Sequence, residues 1–250
     1  ARLDLLEEKL PVDPIWQSER VMGILRKQQE DGAWRYRGGK TNIRSRQNYN
    51  QLETLRVLGQ LVEKYHMTTE HPAIATAAEF LFGFQTEDGD IRGIYGNQYS
   101  PNYTAAIMEL LIKAGYAGDR RMRMGFEWLL SIRQTDGGWA IPIRTVNMGL
   151  KEMLARPTAI MPDRAKPFSH CITGVVLRAF AAHPRYARTR EASAAGELLL
   201  SRFFKPDVYP DRQAADFWTK FSYPFWFTDI LSSLDALSLL GFLAEDRRIE

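Results

Sequence analysis

The chain has 250 residues, 45% of them hydrophobic and 25% charged, which is enough apolar material for a sizeable core. Its 33 basic and 30 acidic side chains leave a net charge of only +3, so nothing in the balance points to nucleic acid as a partner. The single cysteine, Cys171, excludes an internal disulfide and fits a reducing, cytoplasmic setting; there is no signal-peptide pattern, and no apolar run approaches the roughly 18 residues of a membrane span.

Residues 1–10 (ARLDLLEEKL) read as a short amphipathic helix ended by Pro11. Asp13-Pro14 offers a cap and a first-turn proline for a helix over 14–29. The basic, glycine-bearing stretch 35–46 reads as a solvated loop. Over 49–65, Leu52, Leu55, Leu58 and Leu61 or Val62 share one stripe, which predicts a helix with a buried face. His71-Pro72 opens the next, with Ile74, Ala78 and Leu81 turned inward. Residues 103–114 are apolar around much of a helical circumference and imply burial on most sides. Asp119 opens a partner helix in which Met122, Phe126 and Leu129 repeat at helical spacing.

Residues 140–167 interrupt the rhythm with prolines and a short helix near 148–154, and they are expected to pack over the ends of inner helices. After them come a helix pair (170–182 and 185–204), a loop at 206–212, an aromatic stretch at 216–227 and a last apolar helix over 228–243.

One turn recurs through this series. Residues 128–139 read WLLSIRQTDGGW and residues 24–34 read ILRKQQEDGAW, aligning Gln29 with Gln134, Gly32 with Gly137 and Trp34 with Trp139. Residues 80–91 (FLFGFQTEDGDI) place Gln85 in the same register with one extra acidic residue, and Ile91 in the tryptophan position. A faint fourth copy, LLSRFFKPD at 199–207, has Phe204 for the glutamine. Self-similarity at about fifty residues marks a helical repeat array. The glycine accepts the left-handed backbone that ends a helix. The glutamine amide can satisfy orphan carbonyls and bridge to the next unit, and the tryptophan supplies an apolar plate between outer helices.

Widely apolar helices, beginning near Tyr49, Tyr103, His170 and Phe227, alternate with one-sided helices that end in the turn. No useful period-2 segment interrupts them. The expected fold is therefore all-α: one α/α toroid over residues 1–250, of about four inner–outer pairs, with 140–167 as an irregular insertion. Burial of the last apolar helix predicts closure of the ring, with 14–29 packed on 228–243.

The glutamine, turn glycine and tryptophan resemble the QW motifs of the squalene–hopene cyclase and terpenoid cyclase group, whose fold is shared with protein prenyltransferases. The resemblance implies an isoprenoid or other apolar small molecule in the central cavity and leaves peripheral membrane contact open. It does not extend to the acidic motifs: neither DxDD nor DDxxD occurs, and Asp88 and Asp90 flank Gly89 in what reads as a solvated turn. Prenyltransferase zinc is held by Asp, Cys and His, but His170 and Cys171 are adjacent and diverge by about 100° on a helix. The Asp-x-Cys spacing is also missing, so no metal or cofactor is expected.

Catalytic residues are not assignable from the sequence. Cavity candidates are Tyr49, Tyr103, His170, Trp218, Tyr223, Trp226 and Asp229, placed near the inner-helix entrances, where aromatic faces can stabilise cations. Core packing is the competing explanation for the rings, helix capping for Asp229. Arg56 and Arg178 lie in apolar helices and need partners, either acids such as Glu53 or Asp235 or an anionic ligand. Three functions fit: an isoprenoid-handling toroid, a non-catalytic ligand- or partner-binding toroid, and a carbohydrate-active α/α barrel.

Overall fold

Local side-chain capping sets five of the helix starts. His71 accepts from Ala73 N with Pro72 in the first turn, Asp119 accepts from Arg121 N, Ser169 from Ile172 N and Thr189 from Ala192 N. Asp229 and Ser232 form a reciprocal capping box. The structure, a computed structural model, describes residues 13–38, 46–93 and 95–242. Its helices are α1 (Asp13–Trp16), α2 (Glu19–Leu25), α3 (Arg46–Tyr65), α4 (Pro72–Phe82), α5 (Pro101–Leu111), α6 (Arg120–Ser131), α7 (Pro142–Thr145), α8 (Leu150–Leu154), α9 (His170–Ala182), α10 (Arg190–Leu200) and α11 (Ile230–Leu239). Among the described residues there is no strand, only two isolated bridges, Gln28 with Trp34 and Gln85 with Ile91. The all-α expectation holds.

The helices form two alternating layers. In one, α3 packs on α5, α5 on α9 and α9 on α11; in the other, α2, α4, α6 and α10 back α3, α3, α5 and α9 respectively. At the centre lies α9, in which every residue from His170 to Ala181 is buried, as its apolar circumference requires.

Several boundaries differ from expectation. The helix expected over 14–29 breaks at Gln17-Ser18, where Ser18 is extended and a new helix starts. Trp16 anchors the first piece by donating its indole N–H to Tyr65 O at 2.9 Å. The last helix begins at Ile230 because Asp229 is its cap, and a left-handed Gly241 (φ 84°) follows its end. The helix expected over 1–10 and part of the 35–46 loop lie outside the described residues. The expected packing of 14–29 on 228–243 is not how these segments are held. Helix α2 takes α3 as its partner and α11 takes α9, leaving Leu231 and Leu239 exposed. The first and last inner helices instead face each other across a cavity bordered by Val62 and Glu63 on one side and Asp235 and Leu239 on the other.

Backbone hydrogen bonds reset the register of the repeat. Gln29 N donates to Ala33 O, Thr86 N to Asp90 O and Gln134 N to Gly138 O, at 2.8, 2.8 and 2.9 Å. Gln29, Thr86 and Gln134 are therefore equivalent, and the second turn has no extra residue. The bridging amides come from the preceding position. Gln28 Nε2 donates to Gly32 O and to Ala73 O of α4, and Gln85 Nε2 to Gly89 O and to Arg121 O of α6. Gln134 donates instead to Asp163 O and Lys166 O, in the insertion. Asp90, expected to be solvated, is buried and takes bonds from Thr86 Oγ1 and Arg92 Nε; Asp88 is exposed.

A further contact recurs without variation. Trp34 N, Ile91 N and Trp139 N donate to the hydroxyls of Thr54, Thr104 and Thr173, at 2.9, 3.1 and 2.9 Å. Each threonine belongs to the inner helix that follows its turn. The two indoles donate back to the carbonyl ten residues earlier, Trp34 to Ile24 and Trp139 to Leu129.

The turn glycines Gly32, Gly89 and Gly137 all have positive φ, but their surroundings differ. A Cβ on Gly89 would lie 2.4 Å from Met124 O, backbone of α6, whereas one on Gly137 would meet nothing nearer than Leu198 Cδ1 at 3.6 Å. Gly137→Ala should therefore cost only the left-handed strain, about 1–2 kcal/mol, and Gly89→Ala clearly more. Trp139→Ala should cost about 3–5 kcal/mol, as for a fully buried tryptophan. Urea denaturation of the three variants checks this, and equal losses at the two glycines would refute the backbone-contact explanation.

Candidate functional site

The cavity candidates fall at four separate places. Tyr49, on the first turn of α3, is half-buried and stacks on Tyr36 with centroids 4.9 Å apart. Tyr103 is buried between α3 and α5 and donates its hydroxyl to Gln51 Oε1 at 3.4 Å, a packing role. His170 stacks on Trp218 at 4.6 Å, and the Trp218 indole donates to Lys205 O. Asp229 caps α11 through Oδ1, while its buried Oδ2 has no partner. Thr228 Oγ1 donates to Cys171 O, so the starts of α9 and α11 abut. Tyr223 and Trp226 lie on an aromatic segment, 221–227, that crosses the inner layer.

At the start of α9 the third polar partner is Asp207, not Asp229. His170 Nδ1 lies 3.1 Å from Asp207 Oδ2, which also accepts from Ser169 Oγ and Cys171 N; Asp207 Oδ1 accepts from Tyr209 N. Donor atoms of His170, Cys171 and Asp207 lie within 4.8 Å of one another, a nitrogen, sulfur and oxygen set that suits a zinc-like ion. The hydrogen bonds give the group another role as it stands. Asp207 ties the α9 start to the loop after α10, and Cys171 Sγ donates to Arg212 O at 3.7 Å. Burial pushes the Cys171 thiol up to about 12, with Asp207 adding to the rise, and burial lowers His170 against the pull of Asp207. At neutral pH the thiol stays protonated. Asp207 escaped the sequence reading because it lies in the faint fourth turn, 36 residues along the chain from Cys171.

The inner layer holds a buried charge network. Arg178 of α9 donates to Glu109 of α5 at 2.9 Å, and Lys113 lies 2.9 Å from Glu109 and 2.6 Å from Glu63. Burial pushes the Glu109 carboxyl up, but Arg178 and Lys113 outweigh it and hold the group below its ordinary value. Arg178 thus pairs with Glu109 rather than Asp235, and Arg56 pairs with Glu53. Glu109 was discoverable in sequence as the lone acid in an otherwise apolar helix.

This network holds the aromatic segment. Arg178 Nη1 and Nη2 donate to the carbonyls of Phe227 and Phe225, and Tyr223 OH donates to Glu63 O at 2.8 Å. Pro224 and Phe225 are half-buried, whereas Phe221, Tyr223, Trp226 and Phe227 are exposed at 56, 54, 37 and 41%. Phe225 separates two cavities. One, of about 510 Å³, is lined by Val62, Met67, Tyr223 and Leu239, with Glu63, Lys113 and Asp235 among its polar residues. The other, of about 90 Å³, lies among Leu55, Gly59, Ala106, Leu110 and Trp226.

The insertion packs at the entrance to α5. Gln98 Nε2 donates to Met153 O and Thr158 O, Ile160 N donates to Gln98 Oε1, and Tyr99 OH to Met161 Sδ. Arg144 pairs with Asp211 and so joins the insertion to the loop beside Asp207.

Arg178→Met should destabilise the fold by about 3–5 kcal/mol, because Glu109 would keep its burial and lose its main partner. The double variant Glu109→Leu/Arg178→Met should recover most of that loss in urea denaturation. With a folded pKa below the unfolded value, the Glu109 contribution is fully present above pH of about 4.3 and is lost as pH falls through the folded value. Glu109→Gln should flatten the acid limb of the stability profile there; an unchanged acid limb would exclude this carboxylate as its source.

Compared with known proteins, the chain matches no family model, and no curated protein matches its sequence.

Proposed function

We propose that the chain binds an apolar, isoprenoid-like small molecule between α3 and α11, beneath the aromatic segment. The cavity of about 510 Å³ beside Phe225 carries this reading. Small-molecule sites span roughly 300–1,000 Å³ and combine apolar walls with a few polar groups. Val62, Met67, Phe225 and Leu239 supply such walls, and Glu63, Lys113 and Asp235 a polar side that can receive a hydroxyl or headgroup. Each apolar methylene buried there contributes about 0.8 kcal/mol. The resemblance of the repeat turn to QW motifs supports the same ligand class. Binding is the activity assigned, because the chain carries neither acidic motif that would start a cyclisation.

Farnesol titration followed by tryptophan fluorescence tests the reading, since Trp226 adjoins Phe225, the residue that walls both cavities, and itself lines the smaller one. Saturable binding is expected, with Phe225→Ala and Leu239→Ser each weakening it about tenfold, near 1.4 kcal/mol. Absence of saturable binding, or affinity unchanged in both variants, would overturn the assignment. Saturable binding of an oligosaccharide in its place would move the chain to the carbohydrate-active class.

A further inference from the structure

The cavity beneath the aromatic segment is not electrically balanced. Three carboxylates stand at or beside it, Glu63, Glu109 and Asp235, against two cations, Lys113 and Arg178. With His66 of the same lining neutral, one negative charge is left over. Both cations are engaged. Lys113 lies against Glu63 and Glu109, while Arg178 uses Nε on Glu109 and its two Nη atoms on the carbonyls of Phe227 and Phe225.

The carboxylate left over is that of Asp235. It is exposed and has no ion pair or hydrogen bond with another described residue. Partial desolvation at the cavity wall pushes its carboxyl up, Lys113 and Arg178 pull against the rise and Glu109 adds to it. The two engaged cations therefore do not offset the desolvation. Leu231 and Leu239 lie one turn away on either side, on the same face of α11, exposed at 48 and 56%. Tyr223 and Phe225 line the same cavity, their rings edge to face with centroids 5.5 Å apart at 87°. The Tyr223 hydroxyl is fixed on Glu63 O, which keeps that ring in the wall. Aromatic faces attract cations through their quadrupoles, and amine-binding sites use such rings beside an acid.

We propose that the cavity between α3 and α11 selects an amphiphilic ammonium compound, an aliphatic amine whose charged nitrogen pairs with Asp235 beside the Tyr223 and Phe225 rings. Its chain lies along Val62, Met67 and Leu239. This inference rests on the apolar-ligand reading of the cavity and adds the charge of the ligand. A neutral alcohol would fill the apolar walls and leave Asp235 unpaired. A diphosphate or carboxylate would bring further negative charge to Glu63 and Asp235, with no cation free to receive it. An ammonium head group neutralises the surplus, and a partly desolvated pair is screened less than one in open water.

Tryptophan fluorescence titrations of the full chain with farnesylamine, farnesol and farnesyl diphosphate at pH 7 test the proposal. Farnesylamine is protonated at that pH, as a lysine side chain is, and should bind about tenfold more tightly than farnesol. Farnesyl diphosphate should bind more weakly than either. Asp235→Asn should remove most of the advantage of the amine and leave farnesol affinity unchanged. Tyr223→Leu should weaken the amine more than the alcohol, because it removes a ring face. High salt should narrow the gap between amine and alcohol. Asp235 is exposed and pairs with nothing, so its amide should leave folding intact, with circular dichroism and thermal melts as the check. Saturable farnesol binding with no preference for the amine overturns the ammonium site and leaves the apolar cavity standing. So does a preference for the diphosphate, or a preference for the amine that survives Asp235→Asn. No saturable binding of any of the three compounds overturns both readings.

Discussion

The arrangement depends most on one small interaction, the hydrogen bond from the backbone at the end of each repeat turn to a threonine of the next inner helix. Trp34, Ile91 and Trp139 differ in side chain, yet each donates its backbone N–H to Thr54, Thr104 or Thr173. A buried N–H without a partner is costly, so the turn and the following helix are fixed together at a point where the chain has just left the outer layer. The left-handed glycine brings the backbone round to that point, and in the first two units it lies against the backbone of the next outer helix. One turn thereby sets three relations: the end of its own helix, the place of the next inner helix and the place of the next outer one.

Because α9 is buried on all sides, it cannot also present polar side chains to solvent, and its single arginine must be satisfied internally. Glu109 and two carbonyls of the aromatic segment meet that need. The charge network therefore links stability to the cavity proposed for function. The same arginine that balances the core carboxylate holds Phe225 and Phe227 across the inner layer. With their backbone held there, Phe225 walls both cavities, Tyr223 and Trp226 each line one of them while staying partly exposed, and Phe227 is exposed.

The polar group at the start of α9 fastens one loop to the buried helix. Asp207 reaches the N-terminal end of a buried helix, accepts from Ser169 and Cys171 there, and draws the loop after α10 onto it. A carboxylate at a helix N-terminus needs no ion to be stable. The His170–Trp218 stack then closes the group from the other side.

The sequence by itself determined the helical class, the alternation of wide and one-sided apolar faces, and the recurring glycine turn, because each is written within one or two helical turns of local periodicity. It also marked Arg178 as a residue in need of a partner. Partner identity was decided by tertiary structure, because pairing depends on which helix faces are adjacent: Arg178 meets Glu109 rather than Asp235, and His170 meets Asp207 rather than Asp229. The register of the second turn was likewise settled by backbone hydrogen bonds, since the text of residues 80–91 aligns by its glutamine and the fold aligns by its glycine. The seven candidate residues share an aromatic or polar character that sequence can read. Their division among a half-buried stack, a core contact, a capped helix start and an exposed segment follows from how four inner helices pack, and no local pattern encodes that.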